Sequence, residues 1–364
     1  MRDWLSVAVI GVALAGAGLH VSHLSAAEIS TLAGNGTHPV AGDGGPALAA
    51  GVCEPFGLDI GPDGCLYWAE YGGHVIRRMD PKTTVVTVYA GTPNTAGYAD
   101  GPALKAKFDQ PHEIRFDPQG HLYISDMKTQ TIRRVDWETK MVSTVAGTGK
   151  AGFSGDGGPA TAALFDLPIS VVLDGDRGFL ICDIKNHRVR AVDYKTGIVT
   201  TVAGTGEKKP TPDGAPVAGT PLNGPRTLAI DANGNVIIVL REGNAVYRWN
   251  RPANTLEHLA GNGKAGYSGN GGPAKLAQLS GPKGVAIGPD GDIYLADTES
   301  HSIRAIRLKT GIIETIVGNG KKGDGPDGDP LKCQLNRPHG VFFDAAGTLY
   351  IGDSNNNKVR VVKW

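Results

Sequence analysis

Six side chains that could take part in binding or catalysis each follow a proline at regular intervals along the chain. They are Phe56, His112, Ile169, Arg226, Lys283 and His339, which follow Pro55, Pro111, Pro168, Pro225, Pro282 and Pro338. The prolines recur at nearly equal spacing, but the residues after them differ, so the fold alone does not require their identities. Two histidines and two cations in this varying set indicate a functional site.

Two imidazoles and a nearby carboxylate could bind a metal ion. His112 and His339 are candidate ligands, because zinc and copper accept neutral imidazole nitrogens. Arg226 and Lys283 could orient an anionic substrate, and Glu113 could act as a third ligand or as a general base. On this enzyme hypothesis the protein is a metal-dependent lyase or hydrolase whose catalytic residues are Glu113, Arg226 and Lys283.

The same positions also suit a binding module that performs no reaction. Glu54, Phe56, Arg226 and Lys283 would then contact a small molecule, a glycan or a protein. We favour this hypothesis because two histidines and one neighbouring carboxylate make an incomplete metal site. The cofactor prediction follows the same division: a divalent metal (zinc, copper or calcium) for the enzyme, and otherwise none.

A second marker indicates that these positions belong to a repeat. Small-residue pairs that end apolar runs recur with the same spacing, at Gly34, Gly91, Gly147, Gly204, Gly261 and Gly318. Two independent markers with one period of about 57 predict six repeats. Each repeat carries four short segments rich in Val, Ile, Tyr and Thr, which predict strands. In the fifth repeat these segments are 284–288, 292–297, 302–307 and 311–318.

Six units of four antiparallel strands predict an all-β fold, a six-bladed β-propeller. The last repeat ends at Trp364 after three strands, which would leave an open sheet edge. Residues 28–34, EISTLAG, have the sequence of an outer strand but no blade precedes them. We therefore predict that this strand completes the last blade and that residues 28–364 form one domain. The varying residues would then begin the innermost strands, around the mouth of the central channel.

Glycine-rich loops between the repeats could also bind ions. The runs GDGGPA at 42–47 and 155–160 and GNGGPA at 269–274 could hold an anion or calcium, although their repetition favours a role in turns. The sixth loop differs, because Asp324, Asp327 and Asp329 lie close together in sequence. A calcium site there is an alternative, but the spacing does not match an EF-hand loop.

Two further sets of polar residues recur with the repeat. Carboxylates end the second strand of each repeat except the fourth, which has Leu240, and we expect them to bind backbone amides of the following turn. His74, His187 and His301 begin third strands, away from the channel axis. We expect these three histidines to be structural.

The first residues of the chain have the pattern of a signal peptide. MRDW is followed at 5–19 by the apolar stretch LSVAVIGVALAGAGL, which is too short to span a bilayer comfortably. Small residues at 25–27 predict cleavage after Ala27, so residues 1–27 would be removed. An uncleaved membrane anchor is the alternative. We predict an exported protein, periplasmic or extracellular, that has no membrane contact after cleavage.

Charge and cysteine content exclude several classes of function. Lysine plus arginine equals aspartate plus glutamate, 36 each, so the net charge gives no basis for binding nucleic acid. Cys53, Cys65, Cys182 and Cys333 are too few for a disulfide scaffold and form no CxxC pair. We expect Cys182 in the core rather than as a nucleophile, and we expect a monomer.

The motifs LAGNG (32–36) and GDGGPA (42–47), with strands of the type GVAIG and LYIGD, resemble the bacterial NHL-repeat family over residues 28–364. The resemblance implies a six-bladed propeller. More distantly, the chain is similar to the lyase that cleaves peptidyl-hydroxyglycine, in which three histidines hold a channel zinc; here only His112 and His339 match. It is also similar to calcium-dependent gluconolactonase-like propellers, whose channel carboxylates would correspond to Glu54 and Glu113.

Overall fold

Short apolar segments separated by tight turns form six antiparallel sheets, and the innermost strands of successive sheets pack against one another around a ring. The computed structural model describes residues 27–364. The predicted signal peptide therefore lies, except for Ala27, outside the described residues. The predicted six-bladed propeller is confirmed, and each blade begins with its innermost strand.

The strands of each blade follow the predicted repeat closely. From the channel outward they are Pro55–Ile60, Leu66–Glu70, Val75–Met79 and Val85–Ala90 in blade 1; Pro111–Phe116, Leu122–Asp126, Thr131–Val135 and Met141–Ala146 in blade 2; and Pro168–Leu173, Gly178–Asp183, Arg188–Asp193 and Val199–Ala203 in blade 3. Blade 4 has Pro225–Ile230, Val236–Leu240, Ala245–Asn250 and Thr255–Ala260; blade 5 has Gly284–Ile287, Ile293–Asp297, Ser302–Arg307 and Ile312–Val317; and blade 6 has Val341–Phe343, Leu349–Asp353 and Lys358–Lys363.

The fourth strand of blade 6 comes from the other end of the described chain, as predicted. Glu28–Ala33 pairs antiparallel with Lys358–Lys363, with Glu28 opposite Lys363 and Ala33 opposite Val359. Ile29 is fully buried in this sheet. The pairing covers the edge that Lys358–Lys363 would otherwise expose and closes the ring.

The glycine-rich loops add short strands to the outside of the blades. The two-residue strands Gly45–Pro46, Gly101–Pro102, Ala215–Pro216 and Gly272–Pro273 pair with the outermost strands of blades 1, 2, 4 and 5. Single-turn 3-10 helices lie in loops at Ala47–Ala49, Ala103–Lys105, Ala160–Ala162, Gly175–Arg177, Ile184–Asn186, Ala274–Leu276, Thr298–Ser300 and Ser354–Asn356. Asp156, in the GDGGPA run of the third repeat, binds Arg190 at 2.7 Å and the Thr201 hydroxyl at 2.7 Å. These contacts give the glycine-rich run a structural role.

The three aspartates of the sixth loop are also engaged by protein groups. Asp324 binds Lys358 at 2.7 Å, and Asp327 binds Arg360 at 3.0 Å. Asp329 accepts a hydrogen bond from the backbone amide of Leu331 at 3.0 Å. The loop is therefore braced by the neighbouring strand and by its own backbone, without the need for calcium.

A buried arginine on the third strand holds the second-strand carboxylate in five blades. The pairs are Arg77–Glu70, Arg133–Asp126, Arg190–Asp183, Arg304–Asp297 and Arg360–Asp353, with nitrogen–oxygen distances of 3.5, 3.0, 3.5, 3.5 and 4.0 Å. The second oxygen of each carboxylate accepts an amide hydrogen bond, for example from Ser280 to Asp297. The expectation that these amides lie in the following turn was wrong. They lie before the innermost strand, so each carboxylate fastens the loop that leads into its own blade.

Hydrogen bonds from one blade to the next involve the three recurrent histidines. Nδ1 of His74, His187 and His301 accepts the backbone N–H of Gln110, Gly224 and Arg337 at 3.2, 3.0 and 3.1 Å. In the other three blades a side-chain oxygen makes the same contact. The oxygens of Gln130, Asn244 and Asn357 accept the backbone N–H groups of Leu167, Gly281 and Glu54 at 2.7, 2.9 and 3.2 Å. All six acceptors have positive φ. This acceptor position, which we call the latch, is structural, as predicted for the histidines.

The remaining core consists of apolar side chains between adjacent blades. Trp68 and Phe165 are fully buried, and all four cysteines are buried and free. Burial raises the pKa of Cys182 well above its ordinary value, which agrees with a core role. None of the helices in the described part of the chain has the length and apolarity that crossing a membrane requires.

Candidate binding site at the channel mouth

The start of the innermost strands surrounds a cavity of about 370 Å³ at the channel mouth. It is lined by Glu54, Phe56, Tyr71, His112, Met127, Arg226, Arg241, Lys283, Arg337, His339 and Asn355. Six of these were singled out from the sequence as ligand-binding or metal-binding candidates: Glu54, Phe56, His112, Arg226, Lys283 and His339. Glu113 was also singled out, but it does not line the cavity.

Aromatic rings fill the wall of the cavity that blade 1 provides. Phe56 is stacked on Tyr71 with 4.5 Å between ring centroids and on His339 with 4.0 Å. It also meets His112 edge-on at 4.7 Å. Phe56 therefore packs face-on against His339 and edge-on against His112, and the residue is 5% exposed.

The hydrogen bonds of His339 determine its tautomer. Nδ1 lies 2.8 Å from the carbonyl oxygen of Arg337, which can only accept, so Nδ1 carries the proton. Nε2 lies 3.3 Å from Nζ of Lys283 and is left as an acceptor. Burial, together with Lys283 and Arg226, lowers the pKa of His339 well below its ordinary value. His339 is therefore neutral at physiological pH.

His112 faces the guanidinium group of Arg226 from across the cavity. Its Nε2 accepts a hydrogen bond from a terminal nitrogen of Arg226 at 2.5 Å. Burial and the neighbouring Arg226 and Lys283 lower the pKa of His112 well below its ordinary value. Because guanidinium is always a donor, Nε2 of His112 must carry a lone pair, and this nitrogen is already engaged.

Arg226 has no carboxylate within ion-pair distance among residues 27–364. Its Nε is buried and without a hydrogen-bond partner. Burial and the nearby Arg241 lower its pKa to about 10, so the guanidinium group remains charged. Glu242 opposes these effects only from a distance, so a bound anion would stabilise this partly buried cation.

Lys283 and Arg337 share the carboxylate of Glu299. Nζ of Lys283 lies 2.8 Å from Oε1 of Glu299, and Arg337 binds both oxygens at 2.7 and 2.9 Å. Burial raises the pKa of Glu299, but the bonds from Arg337 and Lys283 outweigh it and lower the value to about 2. Burial lowers the pKa of Lys283 to about 7 despite Glu299, and Arg226 acts in the same direction. The amine is therefore partly neutral near pH 7.

Glu113 lies deeper, between the innermost strands of blades 1 and 2. Its Oε1 binds Arg115 at 2.7 Å, and a Cβ on Gly57 would come within 2.8 Å of the same oxygen. Burial raises the pKa of Glu113, and Arg115 opposes this. The position provides neither a third metal ligand beside His112 nor a base facing the cavity.

Five lining residues were missed in the sequence: Tyr71, Met127, Arg241, Arg337 and Asn355. Tyr71, Met127 and Arg241 each directly follow the last residue of a second strand, in the first, second and fourth repeats. The same repeat register that identified the first ring of varying residues would therefore have identified this second ring. Arg337 directly precedes the repeat proline Pro338 and could have been found in the same way.

The residues present do not fit a metal ion shared by His112 and His339. Nε2 of His112 is engaged by Arg226, and Nε2 of His339 is engaged by Lys283. Between residues 27 and 364 no group of three or more His, Cys, Asp or Glu side chains is placed to hold a metal ion. The function we propose therefore does not use a metal.

Comparison with protein families agrees with the repeat pattern. A model of the teneurin NHL domain matches residues 27–262 and 251–334, and a model of the NHL repeat matches 335–362. The chain is an NHL-repeat propeller. The family resemblance predicted from sequence is thus confirmed.

Individual relatives of this NHL propeller are distant. It is 27% identical over 285 residues to the chloroplastic protein SUPPRESSOR OF QUENCHING 1 of Arabidopsis thaliana, with 76% of the chain but 27% of the relative covered. An auxiliary nutrient binding protein of Bacteroides ovatus has a similar structure, with a TM-score of 0.67, 18% identity, and coverage of 93% of this chain and 76% of that one. A putative gluconolactonase has a TM-score of 0.56 at 12% identity, with 93% and 92% covered. At these identities the solved structures show the fold alone.

Proposed function

We propose that this NHL propeller is an exported binding protein that holds a small anionic molecule, such as a carboxylate, at its channel mouth. The observation that carries the proposal is Arg226, a partly buried arginine that lines the cavity without a carboxylate partner among the described residues. Planar guanidinium groups bind carboxylates through two parallel hydrogen bonds. Within residues 27–364, only one terminal nitrogen of Arg226 is engaged, by His112.

The charges of the other lining residues favour the same class of ligand. Arg241 and Arg337 add positive charge. Glu242 pairs with Arg241, and Glu299 pairs with both Arg337 and Lys283. Among the described residues, Glu54 is the one carboxylate that itself lines the cavity. A volume of about 370 Å³ lies within the range of small-molecule pockets. These features favour a small acid over a large polymer.

The comparison with the Bacteroides ovatus nutrient binding protein supports a binding role, since that protein shares the fold. Propellers present a preformed site on a rigid ring, so binding requires little ordering of the protein. The stacked rings of Phe56, Tyr71 and His339 form such a preformed wall. No step of catalysis is needed to explain the site.

Calorimetric titration with lactate, succinate and citrate tests the proposal, with sodium chloride at equal ionic strength as the control for screening. We expect at least one acid to bind and Arg226→Gln to weaken it by about tenfold or more, since a lost charged hydrogen bond costs about 1.5–3 kcal/mol. Arg248→Gln is the matched control. Arg248 lies on the third strand of the same blade and pairs with Glu257 on the fourth strand. Binding that is equal in wild type and Arg226→Gln would contradict the proposal.

Export is the second part of the proposal. The apolar stretch at 5–19 and the small residues at 25–27 support cleavage after Ala27. Expression of the full chain in a bacterium, followed by fractionation and intact mass measurement, should give a periplasmic or secreted monomer that begins at Glu28. A full-length protein retained in the membrane fraction would contradict it.

A further inference from the structure

Lys283 directly precedes the innermost strand of blade 5 and is, within residues 27–364, the one lysine that lines the cavity. Its side chain is 4% exposed and is fixed by two contacts. Nζ lies 2.8 Å from Oε1 of Glu299 and 3.3 Å from Nε2 of His339. A neutral amine that donates its two hydrogens to these acceptors keeps its lone pair for the cavity.

The carboxylate beside Lys283 does not depend on it for charge balance. Glu299 already forms a two-bond ion pair with the guanidinium group of Arg337. Lys283 is a second cation on the same carboxylate, and Arg226 adds a further positive charge nearby. The arrangement therefore suits an uncharged amine, which is the nucleophilic form of lysine.

His339 provides a proton acceptor next to the same amine. Its tautomer is fixed by the bond from Nδ1 to the carbonyl oxygen of Arg337, so Nε2 keeps a lone pair directed at Lys283. Addition of an amine to a carbonyl group requires one proton to leave nitrogen and one to reach oxygen. The imidazole lies where it could carry the proton between them.

We propose that Lys283 forms an imine with the carbonyl group of a 2-oxo acid whose carboxylate is held by Arg226. Lys283 and Arg226 occupy the same repeat position on adjacent blades, so a small acid can reach both. The choice of a 2-oxo acid rests on the anion site proposed above, whereas the reactivity of the amine does not.

The reaction balances without an oxidant or a metal. The lone pair of Nζ attacks the carbonyl carbon, the C–N bond forms, and the electron pair of the C=O π bond moves to oxygen. His339 takes one proton from nitrogen and delivers it to this oxygen, which gives a neutral carbinolamine, and then carries the second nitrogen proton to the hydroxyl group. Water then leaves as the C=N bond forms. The products are one imine and one water molecule, and the step is reversible, as expected of a binding site that captures a carbonyl ligand.

Reductive trapping tests the inference on the complete mature chain. The protein is incubated with pyruvate and sodium cyanoborohydride, and the modified lysine is identified by peptide mass mapping. We expect labelling of Lys283 about tenfold faster than that of exposed lysines, because a fixed uncharged amine reacts faster than a solvated ammonium group. Lys283→Arg, which keeps a cation beside Glu299, should abolish the fast labelling. Lys275→Arg is the matched control, since Lys275 is half exposed and pairs with Asp213.

A second reagent tests the reactivity of the Lys283 amine separately from the anion site at Arg226. Acetaldehyde has a carbonyl group but no carboxylate, so Arg226→Gln should slow its labelling of Lys283 only by making the amine more protonated, and less than it slows labelling by pyruvate. Pyruvate should lose its advantage in that variant. Fast labelling by acetaldehyde with no effect of Arg226→Gln on pyruvate would overturn the 2-oxo acid assignment but keep the reactive amine. Labelling of Lys283 no faster than Lys275 with both reagents would overturn the inference.

Discussion

The imidazole of His339 lies face to face with the ring of Phe56, with 4.0 Å between centroids and 12° between planes. The other face of Phe56 is covered by Tyr71. Removal of the ring should therefore leave a cavity inside the wall of the binding site. The stack makes the channel mouth of this NHL propeller a rigid structure, and this can be tested by substitution.

Phe56→Ala should lower the free energy of unfolding by about 3–5 kcal/mol, the range for a buried phenylalanine truncated to alanine. Guanidinium denaturation followed by fluorescence measures this loss. Leu48→Ala is the control, because Leu48 is 58% exposed and should change stability by less than about 0.5 kcal/mol. A loss below about 1 kcal/mol in Phe56→Ala would show that the stack contributes little.

Metal content distinguishes the two hypotheses that the sequence left open. Because Nε2 of His112 and Nε2 of His339 each face a cation, the purified protein, after zinc loading and dialysis, should retain less than one equivalent of zinc. Elemental analysis by mass spectrometry measures this directly. Stoichiometric zinc that is lost in a His112→Ala, His339→Ala double variant would restore the metal-dependent enzyme hypothesis.

The fold was predictable because it depends on the repeat period of the sequence. The site depends on the directions in which individual side chains point. The repeat is visible in the prolines and glycines, and it predicted the blades and the closing strand Glu28–Ala33. It also placed Phe56, Arg226 and Lys283 at one rim. Sequence could not show that Glu113 points between blades toward Gly57, or that Phe56 stacks between Tyr71 and His339. Those outcomes depend on side-chain direction in a ladder that shifts register between Pro111 and Glu113.

The three latch histidines should make stability depend on pH. Burial lowers the pKa of His74, His187 and His301 below the ordinary value of 6.5. Asp109 partly offsets this lowering of the pKa at His74, and Glu299 does so at His301. A base with a lowered folded pKa contributes stability that is present above its unfolded pKa and is lost as pH falls below it. Acid should therefore weaken these latches below about pH 6.5.

The buried carboxylates titrate with the opposite sign, so variants are needed to isolate the latches. Burial raises the pKa of Glu70 and Asp126 to about 7, which favours the folded state as pH falls. We expect the triple variant His74→Asn, His187→Asn, His301→Asn to match wild type at pH 8. At pH 5 it should be more stable by roughly 0.5–1.5 kcal/mol per latch, the value of one hydrogen bond. Asn244→His, the reciprocal change, should make stability more sensitive to acid. Equal profiles of stability against pH in all variants would show that the latch histidines do not cause the pH dependence.

Blade 4 shows how the buried ion pair of the other blades can be replaced. Leu240 stands where they have the carboxylate, and Tyr247 stands where they have the arginine. The Tyr247 hydroxyl donates to the carbonyl oxygen of Thr211 at 2.5 Å. In blade 5 the guanidinium group of Arg304 donates to the carbonyl oxygen of Ser268, which occupies the position of Thr211 in the next repeat. The tyrosine therefore keeps one hydrogen bond of the arginine, and Leu240 and Tyr247 together remove both charges of the ion pair.

A double-mutant cycle in blade 5 tests this exchange. Asp297→Leu and Arg304→Tyr should each destabilise by about 3–5 kcal/mol, because each leaves one charge buried without its partner. The double variant copies blade 4. Its loss in free energy of unfolding should be smaller, by at least about 2 kcal/mol, than the sum of the losses in the two single variants. Unfolding in denaturant at constant pH measures all four proteins. The reverse exchange, Leu240→Asp with Tyr247→Arg, should show coupling of the same sign, and additive losses in both blades would mean that the pair is not a replaceable unit.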